Sequence, residues 1–172
     1  MQTLRLEAEV DFRTLCEQDL ELIGRHREEM FRDAGIAEEV LSAMKPHFQA
    51  WLGPKLRDGS YFGFLACDES RPVGGIGLLL LDWPPHHFHP TSDKRGYVLN
   101  LFVEPAYRRR GLASKLMLLA EIEFANRGIG FAVLHASAKG MPLYSELGWT
   151  RTSEMSKPIE KAQDTAAVGF DS

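Results

Sequence analysis

Only two cysteines occur among 172 residues, and Cys16 and Cys67 stand in no CxxC or Cys/His spacing. That excludes a disulfide framework and a cysteine-ligated zinc module, and it fits a reducing compartment. A surplus of positive charge is also missing: 20 Lys and Arg stand against 24 Asp and Glu, a net charge of −4. A dedicated nucleic-acid binder, whose affinity rests on neutralising phosphates, is therefore not expected. The longest apolar run, residues 76–81, is far too short to span a bilayer. The opening MQTLRLEAEVDF alternates charge and lacks the apolar core of a signal peptide. The expectation is a soluble, cytoplasmic chain with no membrane partner. Repeats, low-complexity tracts and Gly/Ser linkers are absent too. One domain is expected over residues 1–156, followed by a partly ordered tail at 157–172 where periodicity fades.

What is present alternates between strand and helix patterns. Residues 8–13 read as an opening strand, and Leu20, Ile23, Met30 and Phe31 recur at helical spacing over residues 17–33. A second helical stretch starts at Ala37, and Pro46 either kinks it or begins a new helix. Residues 61–67 and 73–81 form a hairpin around a turn at 68–72. A Pro/His-rich loop follows at 82–95. Residues 97–103 are apolar on both faces except Asn100, as expected of a buried strand. A helix over 111–127, a strand over 131–135, a short helix over 141–147 and a last strand over 149–155 complete a mixed α/β domain, its helices packed on a central sheet.

Chemistry concentrates in residues 97–119, YVLNLFVEPAYRRRGLASKLMLL. A strand ends at Val103, Glu104-Pro105 turns the chain, and Arg108-Arg109-Arg110-Gly111-Leu112-Ala113-Ser114 opens a helix. The first amides of a helix are unpaired donors and the dipole adds positive potential, so such a turn cradles an anion. Three arginines add charge, and a pyrophosphate suits the arrangement. No Gly-Lys-Ser/Thr is present, which excludes a Walker loop. Gly75 and Gly77 cannot begin a dinucleotide fingerprint, because Leu80 occupies the third glycine position. His86, His87 and His89 lack zinc-ligand spacing and read as a solvated loop, so no metal is expected.

The Arg108-to-Ala113 turn resembles the Gln/Arg-x-x-Gly-x-Gly/Ala signature of the GNAT superfamily of acyl-CoA N-acyltransferases. Residues 135–149, HASAKGMPLYSELGW, resemble that family's second box, with Trp149 where Phe is commoner. The resemblance covers about residues 12–155. It implies a mostly antiparallel sheet splayed between two central strands, those at 97–103 and 131–135, with pantetheine lying between them. It further implies an enzyme that transfers an acetyl group from acetyl-CoA to a primary amine by direct attack. The acceptor would be a small-molecule amine, a protein N-terminus or a lysine, and pairing as a homodimer is compatible with it. A non-catalytic acyl-CoA-binding module on the same fold is the alternative.

Carried over by position, Leu101, Phe102 and Val103 would bind the acetyl carbonyl and pantetheine. Arg109, Arg110, Gly111, Leu112, Ala113 and Ser114 would hold the pyrophosphate, with Arg108 at the edge and Ser137 on pantetheine. Tyr144 stands where the family places its general acid, although its neighbours Leu143 and Leu147 suit a packing role equally. Glu29, Trp83 and Asn100 are candidates for the acceptor site. The first long helix, which borders the acceptor in this superfamily, carries Glu29. Glu29, Asp82, Asn100 through water, and Glu104 all remain open as the base.

Overall fold

The computed structural model describes residues 10–158. Strands β1 (Val10–Thr14), β2 (Tyr61–Asp68), β3 (Arg71–Asp82), β4 (Lys94–Val103) and β5 (Ala132–Leu134) form one sheet in sequence order. The first four pair antiparallel, and β4 with β5 is parallel. Helices α1 (Leu20–Asp33) and α2 (Glu38–Asp58) pack on one face, while α3 (Leu112–Asn126) covers the other and α4 (Met141–Glu146) follows β5.

Each face has its own core. On the α3 side Ala66, Ile76, Leu78 and Val98 meet Leu112, Leu116, Met117, Ala120 and Phe124. Those five positions make one stripe at helical spacing, and burying each large side chain contributes about 1.5–3 kcal/mol. On the other side Ile23, Phe48, Leu52 and Tyr61 form the centre, with Leu79 and Leu99 against them. Alternation along β4 sends Val98 to one core and Leu99 to the other.

Several sequence expectations need correction. The turn between β2 and β3 is two residues, Glu69 and Ser70, not five; Glu69 takes φ 55° and Pro72 already pairs with Cys67 inside the ladder. Helix α2 runs unbroken with both Pro46 and Pro54 inside it. The expected strand over 149–155 is not formed. Trp149 is tied down by its amide to the Tyr144 carbonyl (2.9 Å) and by Nε1 to Glu121 (2.9 Å). Beyond it the chain is exposed, Met155 included, so no burial offsets the entropy of ordering a strand. Consequently β5 is an edge strand among the described residues, not the second of two central strands, and it pairs with β4 over three residues only. Most of the tail expected at 157–172, residues 159–172, lies outside the described residues.

Candidate active site

Strand β5 faces β4 only from Gly96 to Val98, opposite Ala132 to Leu134. From Leu99 to Val103 that side of β4 has no strand partner among the described residues. An open edge of this kind presents backbone donors and acceptors to an extended ligand. Leu101, Phe102 and Val103 lie on this stretch; Phe102 is buried and the other two are half-buried.

The unpaired stretch also carries a bulge. Gly77 faces Leu99 and Gly75 faces Phe102, so Asn100 and Leu101 together oppose the single residue Ile76. Asn100 adopts φ 54°, a left-handed conformation that Asn tolerates better than most residues. Its side chain is held from both ends: Arg27 Nη1 donates to Oδ1 at 2.6 Å, and Nδ2 donates to the Tyr61 hydroxyl at 2.8 Å. Gly77 makes this possible, because a Cβ there would fall 1.9 Å from the Tyr61 hydroxyl oxygen. Asn100, read from sequence as a substrate contact or a structural residue, has both polar atoms engaged within the protein. Arg27 and Tyr61 were not singled out in the sequence. They lie 73 and 39 residues from Asn100, and no local pattern reports such a contact.

One rung before pairing with β5 ends, Tyr97 hydrogen-bonds His135 Nδ1, tying β4 to the residue after β5. Burial raises the Tyr97 phenol above its ordinary pKa. Beneath Phe102, with ring centres 4.8 Å apart, lies the buried imidazole of His26. Its Nε2 has no hydrogen-bond partner among the described residues, and burial, aided by the charge of Arg25, lowers its pKa from 6.5 to about 4. A buried imidazole without a partner is held neutral.

Past Val103 the chain makes a 3-10 turn at Pro105–Tyr107 and enters α3. Arg109 and Gly111 take φ 62° and 76°, left-handed values that Gly111 meets at least cost. The α3 ladder starts with Lys115 N–H donating to Gly111 at 3.0 Å. The amides of residues 109–114 have no acceptor among the described residues, so six donors crowd the start of the helix. With the helix dipole behind them, these amides suit a phosphate. Arg109 and Arg110 are exposed beside them. Arg108 is committed elsewhere: Nε donates to the Val103 carbonyl (2.9 Å) and Nη2 to Asp33 (2.5 Å), bracing the turn against α1.

Helix α4 brings Tyr144 back to the sheet. Ser137 starts it, its Oγ accepting the Gly140 amide at 3.1 Å and its carbonyl accepting Gly140 and Met141 at 3.0 Å each. Ser137 therefore already caps a turn. The Tyr144 ring packs at the edge of the α3-side core, and its hydroxyl has no hydrogen-bond partner among the described residues. Burial raises its pKa, which keeps the phenol protonated and able to donate.

The carboxylates considered as bases are all paired. Glu29 holds Arg32 (2.7 Å), Asp82 holds Lys94, and Glu104 lies 3.6 Å from Arg25 and 3.7 Å from Arg71. Trp83 is not brought to the bulge. Its amide donates to the Asp93 carbonyl, at the opposite end of β4, about 20 Å along the strand from Leu99 at roughly 3.3 Å per residue. There its ring covers the buried guanidinium of Arg95, 3.3 Å from the ring centre. Among the described residues no group of three or more His, Cys, Asp or Glu side chains is placed to share a metal ion. His86 and His89 instead bridge through their backbones.

The model of the acetyltransferase (GNAT) family matches residues 21–149. The chain belongs to that family. The crystal structure of a GCN5-related N-acetyltransferase from Ralstonia eutropha superposes with a TM-score of 0.87 at 55% identity, covering 88% of this chain and 99% of that one. A predicted acetyltransferase from Clostridium acetobutylicum, solved with acetyl-CoA, gives a TM-score of 0.80 at 22% identity, over 88% and 96%. An aminoglycoside acetyltransferase from an uncultured soil metagenomic sample gives 0.67 at 22%, over 88% and 99%. The latter two share the fold. No match was found among curated proteins. In this chain the unpaired edge of β4 at residues 99–103 and the free amides at 109–114 are joined by the single turn at 104–108.

Proposed function

We propose that this GNAT protein is an N-acetyltransferase that moves an acetyl group from acetyl-CoA to a primary amine by direct attack. The observation that carries the reading is continuity. The unpaired edge of β4 at residues 99–103 leads, through one short turn, to six unpartnered amides at 109–114. A pantetheine arm can add along the edge while its pyrophosphate rests on the helix start. Arg109, Arg110, Gly111, Leu112, Ala113 and Ser114 form the phosphate end; Leu101, Phe102 and Val103 form the thioester end.

In the reaction a neutral amine nitrogen bonds to the acetyl carbon, the C–S bond breaks, and the amine loses a proton as the thiolate gains one. The bulge at Asn100 and Leu101 interrupts the regular β4 ladder within the stretch assigned to the thioester, where a backbone amide would stabilise the tetrahedral oxyanion. Tyr144, held protonated by burial, supplies the thiolate's proton.

Thiol release with an amine panel, together with calorimetric titration of acetyl-CoA, tests the reading. Gly111→Glu puts a carboxylate at the phosphate end and a side chain at φ 76°. An added Cβ there meets nothing within 4 Å, so the fold is expected to survive while acetyl-CoA binding is lost. Wild-type affinity in folded Gly111→Glu protein would remove the phosphate assignment.

A further inference from the structure

Helix α1 carries three arginines, and two of them are neutralised. Arg25 lies 3.6 Å from Glu104, and Arg32 lies 2.7 and 2.6 Å from Glu29 and Glu38. Arg27 has no carboxylate within ion-pair distance among the described residues. Its guanidinium carbon instead lies 4.8 Å from the ring centre of Phe31 and 4.6 Å from that of Phe48. One donor, Nη1, is spent on Asn100. The Nε–H is closed off from solvent and has no acceptor among the described residues. Arginine cannot shed its proton to escape such a position. A half-buried cation without a counter-charge is costly to the free protein, and a ligand that supplies one removes that cost.

The place of this cation gives it meaning. Asn100 adjoins the backbone assigned to the thioester, so Arg27 sits one hydrogen bond from the reacting end of the groove. Helix α3 packs over the Val98 face of β4, which leaves the Leu99 face, where α1 lies, for the acceptor. An amine arriving there meets Arg27 and Tyr97. A polycationic acceptor meets like-charge repulsion at that point, while an amine with an acidic group finds guanidinium donors fixed between aromatic rings. The overall charge of −4 favours cationic ligands at long range, but a half-buried charge in contact outweighs a screened surface field.

We propose that Arg27 binds a carboxylate carried by the acceptor, so that the substrates are small carboxylate-bearing amines, such as amino acids, rather than polyamines or aminoglycosides. This rests on the N-acetyltransferase reading above. The positive field has a second consequence: it disfavours the ammonium form of the bound amine and so helps produce the neutral nucleophile.

The test compares L-amino acids with their primary amides, which match them in shape but lack the charge. Spermidine and kanamycin serve as polycationic probes, and acetyl-CoA serves as donor. The expected kcat/KM favours acid over amide by about ten- to a hundredfold, the range of a charge-assisted hydrogen bond. In Arg27→Gln that ratio falls to near one with acetyl-CoA affinity unchanged, and Arg27→Lys retains part of it. A purely structural role for Arg27, through Asn100, would lower acid and amide alike and leave the ratio intact, which overturns the proposal. Equal use of acid and amide by the wild type overturns it without any variant, as does preference for spermidine or kanamycin. An Arg27-dependent preference for succinyl-CoA over acetyl-CoA would assign the carboxylate to the acyl donor instead and also overturns it. Bound acetyl-CoA with no thiol release to any amine would remove the enzyme reading itself, and this proposal with it.

Discussion

The two ends of β4 are built on opposite plans. At the end near Lys94, β3 pairs with β4 out to Asp82, β5 pairs from Gly96, the 83–93 loop folds back on itself, and Phe88 stacks on Phe131 with ring centres 5.2 Å apart. At the end near Val103, pairing with β5 has stopped, a left-handed Asn100 interrupts the strand, and its side chain is held by Arg27 and Tyr61. Each end has an arginine with no carboxylate partner among the described residues. Arg95 is buried beneath Trp83, and Arg27 is hydrogen-bonded to the bulge. The first is sealed by the protein's own aromatic ring. The second keeps donors unspent beside an open edge. The proposed function belongs to the end where the sheet leaves its hydrogen bonds unmade.

The sharpest way to strain that contrast is at Tyr144. Tyr144→Phe removes one hydroxyl that has no protein partner among the described residues and keeps the ring in its packing site. Stability and acetyl-CoA affinity are expected to hold, while turnover falls about a hundred- to ten-thousandfold, the usual worth of general acid catalysis. Single-turnover kinetics, read beside a thermal melt, separate the two. Near-normal turnover where chemistry is rate-limiting would assign the proton to water.

How much of this could be read from the sequence differs between the same two regions. The turn proposed to hold phosphate is contiguous, so Arg108 to Ser114 could be picked out as a helix start with donors to spare. The apolar run in β4 likewise marked a buried strand, though its polar-flanked start at Lys94 hid three further residues. The Arg27–Asn100–Tyr61 chain could not be read, because it joins three elements and depends on a bulge that no period reveals. Gly77 read as a broken nucleotide fingerprint; its role is to let a phenol pass. The expected strand over 149–155 failed for the opposite reason. A local pattern was present, but the fold offers those residues no surface to bury.

A smaller effect is expected from His26 under Phe102, at the open end. Its pKa of about 4 in the folded protein lies below the ordinary 6.5 because burial, aided by Arg25, disfavours the charged imidazole. Between those values the unfolded chain binds more protons than the folded one. Stability is therefore full above pH 6.5, declines as pH falls toward 4, and levels off below. From pH 7 to 4.5 this residue accounts for a loss of about 2 kcal/mol at 1.36 kcal/mol per unit. His26→Phe keeps a ring against Phe102 and removes the titration. Urea unfolding at the two pH values should show the variant losing about 2 kcal/mol less than the wild type. An equal loss would place the acid sensitivity in other groups.

The smallest effect is expected at the closed end, and it serves as the control for the whole comparison. Trp83→Ala uncovers Arg95, replacing a cation–π contact with water and removing the indole of a residue that is 38% exposed. A contact of that kind is worth about 0.5–1 kcal/mol when exposed and about 2 kcal/mol when desolvated, and water recovers part of the lost solvation. A stability loss of about 1 kcal/mol is therefore expected, with kcat/KM within twofold of wild type for every amine the enzyme accepts. The distance along β4 is the reason: Trp83 is anchored opposite Asp93, while the reacting end begins beyond Leu99. A rise in acceptor KM with acetyl-CoA affinity unchanged would mean that the acceptor reaches the 82–95 loop. In that case Trp83 would be a wall of the substrate site, and the closed end of β4 would share in recognition with Arg27.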